Sequence, residues 1–441
     1  MLTTLKNAFK IKEIRTKIIF TVLMLAVIRL GSAISVPGIN ASVFTSWFKN
    51  LQTGGEDAFG FLGRMTGGSF ENMSILALNI TPYITSSIII QLLTIAIPKF
   101  EEWQHDGEEG RKKLTNMTRY FTIGLALIES IAMAVGFYNN GSMVKSQNLV
   151  YCVEIVAALT AGSAFLMWLG ERITDYGVGN GISIVLTINI ISRLPQDIQS
   201  LYTQYLKGKS IVQMVVYGLI ILAIIVGMVV LVVLLNDAER RIPVQYAKKL
   251  QGRRLVGSGS SEIPLKVNTA GVMPIIFAMS LFQFPIIVSS LLKYSGTGIW
   301  SEVLSYLNQS RWFDRTNWKY SIGLLLYILL MVFFAYFYTS ITFNPLEIAD
   351  NLKKQGGFIP GIRPGKPTSN YLQTVLNYII LIGVCGLIII AVLPIMFNGL
   401  FGASVSFAGT SLIIVVSVIL ETIKQIESQM LVRNYKGFLD D

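Results

Sequence analysis

Few side chains in this 441-residue sequence can do covalent or redox chemistry. It has one histidine, His105, and two cysteines, Cys152 and Cys385. Haem, zinc and iron–sulfur sites draw on clusters of such ligands, and none can be assembled here. The two cysteines lie in apolar runs far apart in sequence, so they pair only if the fold brings them together. There is no GxxxxGK[ST] phosphate-binding loop and no convincing catalytic dyad. We therefore expect no enzyme, no metal and no cofactor. Ionisable residues within or near the apolar runs are limited to Arg29, Glu129 and Glu154. An ion-coupled pump usually places several such groups along a midplane path, so their scarcity argues against one, and each of the three has an alternative place near a membrane face.

Positive charge is concentrated in two long segments. One, 237–267, carries the pairs Arg240-Arg241, Lys248-Lys249 and Arg253-Arg254; the other, 344–371, carries Lys353-Lys354 and the turn-rich stretch GFIPGIRPGKP with Arg363. Membrane topology alone can require basic loops. The second loop asks for more, because Pro360, Gly361, Pro364 and Gly365 set fixed turns around one arginine. A guanidinium held at the tip of a stiff turn suits carboxylate or phosphate, so acidic protein or RNA is the expected partner, and phosphate contacts to RNA are salt-sensitive. Gly54 to Glu71, GGEDAFGFLGRMTGGSFE, reads either as an exposed loop or as a small element that packs into a cavity and swings on its glycines.

The elements that position these groups follow from composition. Apolar residues make up 52% of the chain and charged residues only 14%, against about 25% charged in soluble domains. The chain belongs in a bilayer. Ten apolar runs read as spanning helices, near 18–37, 73–97, 118–138, 149–170, 182–195, 211–235, 268–292, 320–343, 372–397 and 404–422. The first follows a basic stretch without a clear cleavage site, so it reads as a retained helix. With ten crossings and both termini inside, 25 of the 36 Lys and Arg fall on the inner side. Without the fifth crossing the two sides come out nearly even, so the positive-inside rule favours ten. Two groups of five would then start from opposite faces, as in an inverted repeat. Pro82 and Pro274 fall in two of the runs, as hinges or as static kinks.

Several stretches resemble the SecY family of bacterial protein translocase subunits: ITPYITSSIIIQLL (80–93), WLGERITDYGVGNGISI (168–184), PLKVNTAGVMP (264–274), NPLEIADNLKKQGGFIPGIRPGK (344–366) and GTSLIIVVSVILET (409–422). They occur in the family's order and spacing. The resemblance implies an all-α membrane protein, with ten transmembrane helices in two pseudo-symmetric inverted halves of five around a central hourglass pore. The halves are 1–200, with a plug at about 54–71, and 201–441, with the cytoplasmic loops 237–267 and 344–371. The channel opens across the membrane, and sideways between the second, third, seventh and eighth helices.

By motif position the resemblance implies a pore ring of Ile80, Ile84, Ile190, Ile276, Leu281 and Ile414. Such a ring excludes water and ions by dewetting yet moves aside around an extended peptide. Ile80 and Ile84, four apart, share a helix face. The resemblance further implies a lateral gate with Thr85 and Asn268, a plug with Phe59, Phe61, Leu62 and Met65, and SecA or ribosome contacts at Arg253, Arg254 and Arg363. The implied partners are SecE, SecG, the SecA ATPase, the ribosome through rRNA phosphates, signal sequences with their preproteins, and membrane lipid. The implied place is the bacterial plasma membrane. The alternative class is a small-solute secondary transporter with inverted repeats, which predicts a midplane site with charges or unwound helices.

Overall fold

The computed structural model describes residues 6, 8–53, 66–139, 148–203, 210–246, 249–251, 254–256, 260–291, 298–309, 312–313, 318–401 and 410–436. A helix stands in each of the ten apolar runs: α1 (Lys12–Ala33), α3 (Thr81–Ala96), α5 (Gly107–Asn139), α6 (Leu149–Tyr176), α7 (Gly181–Leu201), α8 (Ile211–Asp237), α9 (Met273–Leu291), α11 (Ser321–Thr342), α13 (Lys366–Phe401) and α14 (Thr410–Lys436). Shorter helices lie between them: α2 (Ala41–Thr53), α4 (Pro98–His105), α10 (Ile299–Leu307) and α12 (Pro345–Lys354). Among the described residues, six helices are long and apolar enough to cross a membrane, or seven if the pair α3–α4, bent by 106°, is one broken span. The protein is a multi-pass membrane protein whose candidate spans are all helices.

Lipid-facing and buried surfaces separate as expected for a bilayer. α8 is apolar all round and leaves Val212, Leu219, Leu222, Val226, Val230 and Leu234 exposed, the pattern of a helix with lipid on one side. Among α1, α3, α5, α6 and α7, α5 packs on α3 and α6, and α1 packs on α6 and α7. Among the later helices, α9 packs on α11, and α8 packs on α13 and α14. α7 meets α14, and α9 meets α3 and α5.

Three expectations change. The second span does not start near residue 73, because Thr66 to Ile80 is a succession of turns and α3 begins at Thr81. Pro82 and Pro274 are neither hinges nor kinks; each is the second residue of its helix, in α3 and α9, where the missing N–H would have had no partner anyway. The bend comes instead at Ile97, whose extended backbone precedes Pro98, as the restriction on a residue before proline requires.

Finally, 237–267 and 344–371 are a folded unit. β1 (Glu239–Tyr246) pairs antiparallel with β4 (Ser260–Lys266) and, through Gln245 and Tyr246, with β5 (Gly357–Phe358). β2 (Lys249–Gln251) and β3 (Arg254–Val256) pair with each other. Ile242 and Val244 alternate inward from β1 and bury with Leu265, Leu352, Ile359 and Leu372. Asn344 caps α12 by accepting from the Leu346 and Glu347 amides at 3.1 and 3.4 Å.

Candidate functional site

Ile80, Ile84, Ile190, Ile276 and Ile414 are each at most 9% exposed and belong to one continuous apolar cluster. Ile80 caps α3 and its carbonyl accepts the Ile84 amide at 3.0 Å, which fixes the two side chains one turn apart on one face. Ile190, Ile276 and Ile414 come from α7, α9 and α14. A cavity of about 180 Å³ opens against this cluster, lined among others by Ile84, Ser87, Gln91, Ser183, Leu186 and Ile276.

The cavity changes character along its length. On α3, Ile84, Ser87 and Gln91 share a face, so the lining passes from apolar to polar toward the end of the helix. On α7, Ser183, Leu186 and Ile190 share a face and pass from polar to apolar toward the end. Gln91 donates to Ser87 Oγ at 3.3 Å, and its Oε1 has no partner among the described residues. The cavity wall thus combines the polar Ser87, Gln91 and Ser183 with the branched apolar Ile84, Ile276 and Ile414.

Leu281 does not join them. It is 55% exposed, because five residues along a helix place it roughly 140° around α9 from Ile276. Its neighbour Phe282 is the buried one, edge-on to Trp312 and Tyr327. Conversely, Leu186 and Val418 line the cavity without having been singled out from sequence. They stand four residues from Ile190 and Ile414, and that same-face spacing is the signal that finds them.

Thr85 and Asn268 are not brought together through hydrogen bonds. Thr85 Oγ1 donates back to the Thr81 carbonyl at 3.1 Å. Asn268 donates to Asn236 Oδ1 at 2.9 Å, and Asn236 donates to Ser417 Oγ at 2.7 Å, so Asn268 ties the turn before α9 to α8 and α14. Phe59, Phe61, Leu62 and Met65 lie outside the described residues, as does Arg253. Arg254 opens β3. Cys152 and Cys385 are both free.

Arg363 is exposed, between Gly361 and Gly365, whose φ angles of +82° and +98° turn the chain around it. The Thr368 hydroxyl donates to the Arg363 carbonyl at 2.8 Å and fixes the turn. The turn follows β5 directly, so the two basic segments present one surface. On that surface the Glu239 carboxylate, 2.7 Å from Arg241, raises the guanidinium pKa by hydrogen bonding and charge.

Thr66 to Asn79 is held by a polar network. Arg29, on α1, donates through Nη1 to Ser192 Oγ at 2.8 Å and to the Gly67 carbonyl at 3.3 Å, and through Nη2 to Asn189 Oδ1. Asn189 Nδ2 donates to Asn79 Oδ1 at 3.0 Å. Arg193 pairs with Glu71 at 2.7 Å, the two side chains being 11% and 19% exposed. Gly67 has φ +62°, and a Cβ there would fall 2.7–2.8 Å from the Asn189 carbonyl, Arg29 Nη2 and Ser192 Oγ. Met73, at φ +43°, is held in a region costing about 1–3 kcal/mol for such a residue.

The fold is that of a multi-pass helical membrane protein with a cavity shared by α3, α7, α9 and α14. The SecY family model matches residues 74–423. The protein translocase subunit SecY of Halalkalibacterium halodurans is 44% identical over the whole of both chains. The fold resembles solved structures of a SecY channel closed by its plug domain (TM-score 0.61, 16% identity, 94% of this chain and 92% of that one) and of Sec61 in a canine ribosome–channel complex (TM-score 0.60, 16% identity, 94% and 92%). The chain belongs to the SecY family.

Proposed function

We propose that this protein is the central subunit of a bacterial protein-conducting channel, passing unfolded preproteins across the plasma membrane and releasing hydrophobic segments sideways into lipid. The observation that supports this reading is that Ile80, Ile84, Ile190, Ile276 and Ile414, from α7, α9, α14 and the start of α3, belong to one buried cluster, with Ile84, Ile276 and Ile414 also lining the cavity. Branched apolar walls keep water and ions out while a polypeptide is absent and yield around one when it enters. Leu281 is left out of this ring because of its exposure.

The ten long helices form two halves, 1–200 and 201–441, related by inverted topology, with all ten crossing and both termini in the cytoplasm. The contacts of α9 with α3 and α5 form the side that parts for a signal helix. Thr85 stays a candidate gate residue on α3, whereas the bonds of Asn268 support a role in holding α8, α9 and α14 together. The residues 54–71, with Phe59, Phe61, Leu62 and Met65, are the plug. SecE and SecG complete the channel. The sheet unit with Arg253, Arg254 and Arg363 faces the cytoplasm and receives SecA or the ribosome, a role supported by the ribosome-bound Sec61 of the same fold. A small-solute transporter is not favoured, since the sequence relatives are protein translocase subunits.

Replacing Ile80 and Ile84 with serine puts hydroxyls into the constriction. Single-channel recording on the reconstituted complex should show resting ion conductance several-fold above wild type. Unchanged conductance in a normally inserted double variant would remove α3 from the ring.

A further inference from the structure

Resting on the channel reading, the Arg29 network acquires a role in gating. Thr66 to Asn79 is neither helix nor strand, yet it is mostly buried. Phe70, Met73 and Ala77 enter the apolar cluster shared with α2, α5 and α6, while Leu76 enters the ring cluster. This segment runs directly into Ile80 and α3. The hydrogen bond from Asn189 to Asn79 therefore joins the two residues that immediately precede ring members, Ile190 and Ile80.

Arg29 grips both sides of that joint, with Asn189 and Ser192 on α7 and Gly67 on the segment. Among the described residues it has no carboxylate partner, and its Nε has no acceptor. A guanidinium inside a span is costly without hydrogen bonds, and among the described residues those bonds come only from neutral groups, of which Gly67, on the segment that runs into α3, would be drawn away by a lateral shift of α3. Water entering an opened channel could replace them. The half-buried charge then favours two states, fully bonded to the protein or hydrated, over partly opened ones.

We propose that Arg29 is a positioning residue of the closed channel, a latch that fixes residues 67–79, and through them Ile80, to the ring-bearing helix α7. Removing it should favour the open state and relax the discrimination of signal sequences, rather than merely weaken the fold.

The test uses full-length Arg29→Met, Arg29→Lys, Ser192→Ala and Arg29→Met/Ser192→Ala, each reconstituted with its partner subunits. Resting conductance and the export of a signal-defective preprotein relative to an intact one are measured. Arg29→Met should raise resting conductance by about tenfold, the population shift given by the loss of a charge-assisted, half-buried hydrogen bond. Ser192→Ala should give a smaller rise, the export ratio should rise with conductance, and the double variant should not exceed Arg29→Met. Should Arg29→Met fail to accumulate, Arg29→Lys and Ser192→Ala decide by the same readings. Variants inserted at wild-type levels with wild-type conductance and export ratio would overturn the latch. So would reduced thermal stability and reduced export without added leak, which is the mark of a structural pin. A wild-type complex that does not conduct even with a stalled signal-bearing chain engaged would overturn the channel reading itself, and the latch with it.

Discussion

Arg363 makes no ion pair among the described residues and stands exposed on a turn held by two left-handed glycines and one hydroxyl bond. Its charge is available to a partner. A charge-assisted hydrogen bond contributes about 1.5–3 kcal/mol, so Arg363→Glu, which also introduces repulsion toward an acidic partner, should weaken motor binding by roughly tenfold or more. Binding of SecA to inverted membrane vesicles measures this, with channel levels checked by immunoblot; undiminished binding would take the turn out of the motor site. The isoleucines proposed for the constriction were picked out only through motif position, since isoleucine occurs in every span and composition cannot tell a pore wall from a lipid-facing wall. Leu281 shows the limit of that route, because a position five residues from Ile276 turns to another side of the helix. Arg29 was visible as a charge in a span, but its partners Gly67, Asn189 and Ser192 come together only in three dimensions.

The spanning helices could be read from sequence because lipid imposes length and polarity on each one separately. What depends on contact between segments was hidden. The sheet joining the two basic segments carries Pro243 and Pro264 in its paired strands, and proline within a short apolar alternation argues against a strand. Its register needs β5, more than a hundred residues beyond β1. Because Val244 is fully buried there among Ile242, Leu265 and Leu372, Val244→Asp should cost ~3 kcal/mol or more locally. Limited proteolysis should then cut within 237–267, and ribosome and motor binding should fall together while resting conductance stays at the wild-type value. Retained binding by a proteolysed unit would mean that the partners use the basic residues without the sheet.

Across the whole molecule, helices that are individually ordinary are bound into a path by where their small differences in polarity fall. Of the helices that line the cavity, α3, α7, α9 and α14 do not qualify alone as membrane spans by length and composition, whereas α11, which contributes Tyr338, does. Ser87 and Gln91 of α3 and Ser183 of α7 line the same cavity, and the Arg29 network ties α1 and α7 to the residues that run into α3. On the proposed function, closed and open forms differ in whether the isoleucines touch each other or a polypeptide, and the energy for transport comes from whatever engages the basic sheet unit. The central claim is that a translocating chain passes between Ile80 and Ile276. Site-specific photocrosslinking to a stalled secretory chain, from probes at Ile80, Ile276 and the lipid-exposed Val230, tests it most directly. Crosslinks from 80 and 276 that need a functional signal sequence, with none from 230, are the predicted result; absence of crosslinks from 80 and 276 in an inserted, partner-bound complex would contradict it.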